Sequence, residues 1–198
     1  MQQKTFFDNV LPSLAQPVFT ADLKEDGTGF YQFGTIDTSK FNGELTWVAV
    51  NSSNGFWQFP SPSITIGGQQ KNNLGGSPAI ADTGTSLLIV DEAVAQQYYS
   101  QVPNSGYSYY VGGYIFPCAQ AATLPSFGVA IGSNNYMVMI LPSLLNYAPV
   151  TSTWCYGGIQ SNQGYTLQIY GDIMFRSAFF AFQKTTSYQG IGVAPKSG

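Results

Sequence analysis

Histidine is absent from the 198 residues of this chain. Its absence excludes catalytic triads of the Ser-His-Asp and Cys-His types, and it excludes ordinary zinc sites built on imidazole. Carboxylates are the main acid–base groups that remain. We therefore expect neither a metal nor an organic cofactor.

Charge is also scarce, since Asp, Glu, Lys and Arg make up 9% of the chain and the formal net charge is −3. No basic surface is available for nucleic acid or anionic lipid, and no stretch is long and apolar enough to span a membrane. A polar, sparsely charged surface is typical of a secreted, extracellular protein. The first residues lack the apolar core of a signal peptide, so we expect an upstream segment to be missing.

Cysteine occurs only twice, at Cys118 and Cys155. Two cysteines are too few for a structural zinc site, but they are far enough apart to close a long loop. If they are oxidised, the chain-entropy model gives ~3 to 4 kcal/mol of stabilisation. Two buried thiols are the alternative. The sequence Asn51-Ser52-Ser53 makes Asn51 a candidate glycosylation site.

Aromatic residues and glycine are abundant, at 15% and 22 residues respectively. Together with many Thr, Ser and Val they favour short strands joined by tight turns. The patterns predict one all-β domain, mainly antiparallel. Strands are predicted at 17–23, 29–33, 45–50, 56–59, 63–66, 113–116, 126–131, 136–141, 154–159, 165–170, 178–183 and 191–194.

Helical spacing is confined to a few short segments. Residues 5–15 have apolar positions at helical intervals, with a break expected at Pro12. The clearest helix begins after Asp91, which is predicted to be its N-cap. Shorter helical turns are expected at 142–146 and directly after Gly171.

The tract 78–90 differs from the other strand patterns because two apolar arms enclose a polar turn, Asp82-Thr83-Gly84-Thr85-Ser86. Gly84 lets the chain turn closely behind the carboxylate, and the hydroxyls of Thr85 and Ser86 lie within reach of it. A carboxylate held on such a turn can share a proton with a second carboxylate and activate a water. A simple turn in which Asp82 caps its own backbone is the alternative interpretation.

Several stretches resemble one family in the same order along the chain. The segment from Ile80 to Leu88 is similar to the second active-site motif of the pepsin-like aspartic proteases, and Ile169-Tyr170-Gly171-Asp172 is similar to the later apolar-apolar-Gly segment of that family. The resemblance is strongest to the C-terminal lobe of the secreted fungal, penicillopepsin-type branch. It runs from Phe6-Phe7 to Ala194 and implies an all-β acid-protease lobe, antiparallel and barrel-like, with short helices.

The resemblance also implies roles for individual residues. Asp82 matches the catalytic aspartate of the lobe, Thr83 matches the residue whose hydroxyl reaches the backbone of the opposite lobe, and Thr85 matches a hydrogen-bond partner of the Asp82 carboxylate. Cys118 and Cys155 match the disulfide of the lobe. The positions that match substrate contacts are Gly84 and Ser86 for the main chain, and Phe56, Ile80 and Ile169 for apolar pockets, with Ile89 where many relatives carry an aromatic residue.

The main departure from the family is that only one of its two catalytic aspartates is present. We interpret residues 1–198 as a single C-terminal lobe, with the segment between the lobes at 1–23 and the N-terminal lobe absent. The expected partners are a polypeptide substrate and that missing lobe, and the isolated chain is expected to be inactive. The alternatives are a homodimer with one Asp82 per copy and a non-catalytic β domain that binds protein or carbohydrate. Asp172 also follows a glycine, but a helix-capping role is expected for it.

Overall fold

A computed structural model describes residues 3–197 and contains four short helices and eighteen strands in this part of the chain. The helices are α1 (Phe6–Val10), α2 (Glu92–Tyr99), α3 (Pro142–Leu145) and α4 (Asp172–Ser177). Three further segments form 3-10 turns: Leu11–Ser13, Thr38–Lys40 and Cys118–Thr123. None of the helices within residues 3–197 has the length and apolar character needed to cross a membrane.

The strands are short and occur along the whole chain. Those of the first half are β1 (Val18–Leu23), β2 (Gly29–Phe33), β3 (Thr46–Ala49), β4 (Gln58–Phe59), β5 (Ser63–Ile66), β6 (Gln69–Asn72), β7 (Ala79–Ala81) and β8 (Leu88–Val90). Those of the second half are β9 (Gly106–Ser108), β10 (Gly113–Pro117), β11 (Phe127–Ile131), β12 (Tyr136–Met139), β13 (Asn146–Pro149), β14 (Trp154–Gly157), β15 (Ile159–Ser161), β16 (Gln168–Tyr170), β17 (Phe179–Lys184) and β18 (Gln189–Ala194).

The strands form four sheets, which confirms the predicted all-β class. Three sheets are antiparallel throughout, with the orders β2-β1-β17-β18-β3, β13-β14-β10-β9 and β12-β11-β5-β6. The fourth sheet, β15-β8-β16-β7-β4, is mixed, because β15 with β8 and β16 with β7 are parallel pairs. Alternation along one strand carries no information about the direction of its neighbour, so the sequence did not predict these parallel pairs.

The N-terminal segment breaks where proline was expected to break it. Helix α1 ends at Val10, and Pro12 lies in the 3-10 turn that follows. The start of α1 is closed by a capping box in which Thr5 and Asp8 exchange side-chain and backbone hydrogen bonds. Asp8 also pairs with Lys184 on β17, which ties the helix to the large antiparallel sheet.

Strands β6, β9 and β13 were not predicted because their sequences lack the apolar alternation of a half-buried strand. Strand β6 is polar throughout, β9 is a Gly-Tyr-Ser segment, and β13 ends in proline at a sheet edge. The predicted strand 56–59 is shortened to Gln58–Phe59, since Gly55 turns with φ of +86° just before it. Pairing with neighbouring strands, and not local propensity, forms these elements.

Helix α2 shows a second difference between prediction and structure. Its buried face contains Val94, Ala95, Tyr98 and Tyr99, as the helical stripe predicted. Asp91 occupies the N-cap position as predicted, but its side chain forms no capping hydrogen bond. The carboxylate bonds to two loops instead.

Candidate active site

The turn Asp82–Ser86 joins β7 to β8, and β16 lies between these two strands in the mixed sheet. Tyr170 pairs with Ala81 on one side and with Leu88 on the other. The two arms of the turn are therefore held apart by one strand, and the turn spans the end of that strand. Apolar residues in both arms are buried, which fixes the polar turn at the surface end of the sheet.

The Asp82 carboxylate is held by hydrogen bonds from its own turn. The backbone N–H of Gly84 donates to Oδ1 at 2.9 Å, and the hydroxyl of Thr85 donates to Oδ2 at 2.8 Å. A Cβ at position 84 would lie 3.0 Å from Asp82 Oδ1, so glycine lets the backbone approach this closely. Each carboxylate oxygen can accept further hydrogen bonds, and Asp82 is half-buried, so the group remains open to a ligand.

Gly171 lies directly beneath the turn. Its N–H donates to the carbonyl of Leu87 at 3.1 Å, and the next N–H, that of Asp172, donates to the carbonyl of Thr85 at 2.7 Å. A Cβ at position 171 would lie 2.0 Å from the carbonyl oxygen of Thr85, so only glycine fits here. The backbone of the turn is thus fixed from below by the segment that follows β16.

Asp172 does not cap α4, which corrects the sequence-based interpretation. The N-cap residue is Gly171, and no side-chain capping bond forms. The first amides of the helix need no such cap, because the N–H groups of Asp172 and Ile173 donate to carbonyls of the turn. The carboxylate instead lies 3.9 Å from Arg176, and burial raises its pKa against the lowering effect of Arg176. The charge of Asp82 contributes to the same rise in the pKa of Asp172.

A small open groove of about 250 Å³ lies beside Thr83 and Asp172. Its other residues come from the β1–β2 hairpin and α4, and include Tyr31 and Arg176. The sequence-based interpretation did not include Tyr31. The sequence did contain a sign of its exposure. Aromatic residues occupy positions 30, 31 and 33 of the predicted strand 29–33, so they lie on both faces of that strand.

The three residues expected in apolar pockets have different environments. Ile80 is buried in β7 with 5% exposure, whereas Ile169 is half-buried and lines a cavity of about 220 Å³ together with Ile89. Phe56 is exposed and lines a different and larger concavity. Phe56 lies two residues before β4, which pairs with β7 only at Gln58–Phe59.

The larger concavity, of about 650 Å³, lies between helix α1 and the large antiparallel sheet. Strand β2 is an edge strand of that sheet, and all five of its residues are exposed. The exposed aromatic residues in this region are Phe6, Phe30, Tyr31, Phe33 and Phe56. An exposed apolar edge strand beside exposed aromatic residues is typical of a surface that another chain or segment covers.

The remaining site candidates lie away from the turn. Cys118 and Cys155 form a disulfide that closes a separation of 37 residues. Asn51 is exposed, and its side-chain oxygen accepts the N–H of Ser53 at 3.0 Å. Within residues 3–197, no group of three acidic or cysteine side chains is arranged to hold a metal ion.

Comparison with known proteins agrees with the resemblance seen in the motifs. A family model described as eukaryotic aspartyl protease matches residues 1–196. The chain is 44% identical over 196 residues to penicillopepsin-3 of Penicillium janthinellum, covering 98% of this chain and 48% of that protein. It is 47% identical over 182 residues to penicillopepsin-1 of Talaromyces stipitatus, covering 91% and 45%.

A third relative gives the same result. Aspergillopepsin-1 of Aspergillus fumigatus is 45% identical over 199 aligned residues, which cover 98% of this chain and 48% of the relative. The chain thus spans about half the length of the curated relatives it matches.

Proposed function

Because the chain belongs to the eukaryotic aspartyl protease family, we propose that it acts as the C-terminal lobe of a secreted aspartic endopeptidase that hydrolyses peptide bonds at acid pH. Asp82 supplies one of two catalytic carboxylates, and the N-terminal lobe supplies the other. The observation that carries this proposal is the Asp82 turn, in which Gly84 and Thr85 hold the carboxylate while the turn itself is fixed from below by the Gly171 segment.

The chemistry requires two carboxylates that share one proton and one water. The ionised carboxylate removes a proton from the water while the water oxygen attacks the peptide carbonyl carbon. The protonated carboxyl donates its proton to the carbonyl oxygen. Collapse of the tetrahedral intermediate then releases the amine with a proton from the pair. The hydrogen bonds from Gly84 and Thr85 keep Asp82 in place through this exchange, so the carboxylate does not have to reorient at each step.

The exposed aromatic surface around β2 supports the proposal that a partner lobe packs there. The edge strand offers unpaired backbone groups, and the concavity next to it is lined by Phe6, Phe33 and Phe56. We assign residues 1–23 to the segment between the lobes, because α1 and β1 border this surface. Thr83 lines the groove nearby, and we assign to its hydroxyl a contact with the backbone of the partner lobe. Gly84 and Ser86 are exposed at the turn, where they can contact the substrate main chain.

The isolated chain is expected to be inactive, because it presents one Asp82 without its partner carboxylate. Asp172 does not replace that partner, since it starts α4 behind the turn and is engaged with Arg176. Two copies paired about a two-fold axis are the alternative source of a second Asp82. Cleavage by purified chain that sediments as a monomer would contradict the proposed need for a second lobe.

The proposal is tested by mixing this chain with the N-terminal lobe of a penicillopepsin and measuring cleavage of a denatured protein from acid to neutral pH. Activity is expected only at acid pH and should be blocked by a statyl-type transition-state mimic. Asp82→Asn should abolish it. Asp37→Asn is the matched control, because Asp37 also accepts a backbone N–H and a hydroxyl, both from Ser39, in a surface turn. Equal activity of the two variants would support a non-catalytic β domain that binds protein or carbohydrate.

Secretion is part of the same proposal, and Asn51 offers a separate test of it. The side chain lies at the surface in the sequence Asn-Ser-Ser, where the glycosylation machinery of a secretory pathway can reach it. Expression through a fungal secretory pathway should add glycan mass that Asn51→Gln removes. A mass difference no larger than the one methylene group that separates Gln from Asn would contradict glycosylation at this position.

A further inference from the structure

A buried carboxylate, Asp91, lies at the start of α2 without capping it. Its exposed fraction is 6%, and Oδ2 accepts the backbone N–H of Ser77 at 3.0 Å. Its Oδ1 accepts the side-chain amide of Asn162 at 2.7 Å. Asp91 takes part in none of the ion pairs found within residues 3–197. Because a buried carboxylate is costly unless donors surround it, these bonds to two loops are what keep the group in the interior.

Asn162 connects that carboxylate to the loop 162–167. Its amide nitrogen donates to Asp91 and to the carbonyl of Tyr165 at 2.6 Å, and its side-chain oxygen accepts the N–H of Gly164 at 3.1 Å. The loop turns sharply at Gln163 and Gly164, with φ of +52° and +87°. The side chain of Asn162, itself 4% exposed, is therefore the internal brace of a strained loop.

The braced loop forms one wall of the cavity of about 220 Å³. Tyr165, Thr166 and Leu167 of the loop line this cavity together with Ile89 of β8 and Ile169 of β16. The two strands belong to the sheet that carries the Asp82 turn. The cavity is thus an apolar recess on the catalytic sheet, and its width depends on where the loop is held.

Gln168 adds a link between the loop end and Asp91. Its side-chain oxygen accepts the N–H of Asp91 at 3.3 Å, while its amide donates to the carbonyl of Ser77 at 2.7 Å. Gln168 directly precedes Ile169, and Asp91 is two residues beyond Ile89. The same buried network therefore fixes residues beside those that line the cavity.

We propose that Asp91 and Asn162 are positioning residues that hold the 165–167 wall and thereby set which substrate side chains the cavity accepts. The substrate part rests on the proposed protease function. A carboxylate only accepts hydrogen bonds, so Asp91 forces the Asn162 amide to point its nitrogen toward Asp91 and its oxygen toward Gly164. An asparagine at position 91 would replace one carboxylate oxygen by an NH2 group. That donor would then point at another donor, either the N–H of Ser77 or the amide nitrogen of Asn162. Relief of that clash by a flip of Asn162 would remove its bonds to the loop.

The first test uses the isolated chain and needs no activity. In Asp91→Asn, the amides of Gly164 and Tyr165 should exchange with solvent about tenfold faster, the factor expected for loss of a hydrogen bond to a charged group. The amides of Gly84 and Asp172 at the catalytic turn should be unchanged. Unchanged exchange in the loop, or equal acceleration throughout the chain, would overturn the positioning role.

The second test uses the chain assembled with a penicillopepsin N-terminal lobe and peptides that differ from Ala to Leu at one position next to the scissile bond. Asp91→Asn should reduce the preference for the larger side chain by about tenfold in kcat/KM, through KM, while kcat on the smaller peptide stays within about threefold. Tyr98→Phe, which removes a part-buried hydrogen bond to the carbonyl of Pro125 away from the loop, is the matched control.

Each outcome of the second test has a different meaning. Selectivity lost in Asp91→Asn but kept in Tyr98→Phe supports the proposal. Selectivity kept in both, with an active wild-type assembly, overturns the role of the pair and leaves the protease function intact. A wild-type assembly that cleaves nothing overturns the protease function and the substrate role of the pair together, even if the loop amides respond as expected.

Discussion

Substitution of Gly171 by alanine should disturb the Asp82 turn through a direct backbone clash. The new Cβ would lie 2.0 Å from the carbonyl oxygen of Thr85 and 2.6 Å from that of Leu87, whereas Cβ atoms essentially never come within 3.0 Å of such atoms. The turn and the segment beneath it must therefore separate by at least 1.0 Å, the difference between 3.0 and 2.0 Å. Both clashing atoms belong to the backbone, so no side-chain rotation relieves the contact.

The energetic cost has two parts. Overpacking of a well-packed region costs ~1 to 3 kcal/mol. The same movement weakens the hydrogen bonds from Gly171, Asp172 and Ile173 to the turn, each worth about 1 kcal/mol. We expect a total of about 4 kcal/mol, which corresponds to a fall in Tm of about 8 to 16 °C for a domain of this size. In an assembled enzyme, displacement of the turn by about 1 Å should lower kcat by about 100-fold.

Thermal unfolding of the isolated chain, followed by circular dichroism, measures the stability change. Gly106→Ala is the matched control, because a Cβ at that strand position meets nothing within 4 Å. Its stability should stay within about 0.5 kcal/mol of the wild type. If Gly171→Ala unfolds at the same temperature as Gly106→Ala, the close fit beneath the turn is not what holds the turn in place.

Three further outcomes are expected. Replacement of Cys118 and Cys155 by alanine should lower the free energy of unfolding in urea by about 4 kcal/mol, from the 37-residue separation, and a loss below about 1 kcal/mol would contradict the chain-entropy estimate. The hydrogen bond from Lys184 lowers the pKa of Asp8 below 3.8, so the stabilisation by the Asp8 carboxylate is present above pH 3.8 and is lost as pH falls through the lower folded pKa. The Tm of the wild type should therefore exceed that of Asp8→Asn by less and less toward pH 2. A Tm difference that stays constant with pH would argue against this ion pair. Burial raises the pKa of Asp172 above 3.8, so the wild type loses stability as pH rises through the folded pKa. The Tm of Asp172→Asn should therefore rise relative to that of the wild type between pH 3 and pH 7. A Tm difference independent of pH would show that burial does not raise this pKa.

Much of the site could be predicted because its signals are local in sequence. Asp82, Gly84 and Thr85 are within four positions of each other, and a tight turn brings neighbours of that kind together in almost any fold. The break at Pro12 is equally local, because proline lacks the N–H that a continuing helix needs. The cysteine pair is a long-range contact that could be proposed because the chain contains only two cysteines.

What the sequence did not predict is the bonding of side chains whose partners are distant in sequence. Asp91 and Asp172 both stand at helix starts, where capping is the ordinary expectation for aspartate. In the structure, Asp91 binds Asn162, which is 71 residues away, and the α4 amides are satisfied by Thr85 and Ser86 before Asp172 is needed. Nothing near either aspartate in the sequence signals these competing donors and acceptors.

The sequence by itself determined the all-β class and the polar turn around Asp82, because each depends on residue type and short spacing. Only the tertiary structure decided which strands run parallel around that turn, which buried carboxylates serve loops instead of helices, and which apolar residues line cavities. Those outcomes depend on hydrogen bonds and contacts between segments that meet only after the chain has folded, such as the insertion of β16 between β7 and β8. The Asp82 turn is therefore readable in the sequence, while its support is visible only in the fold.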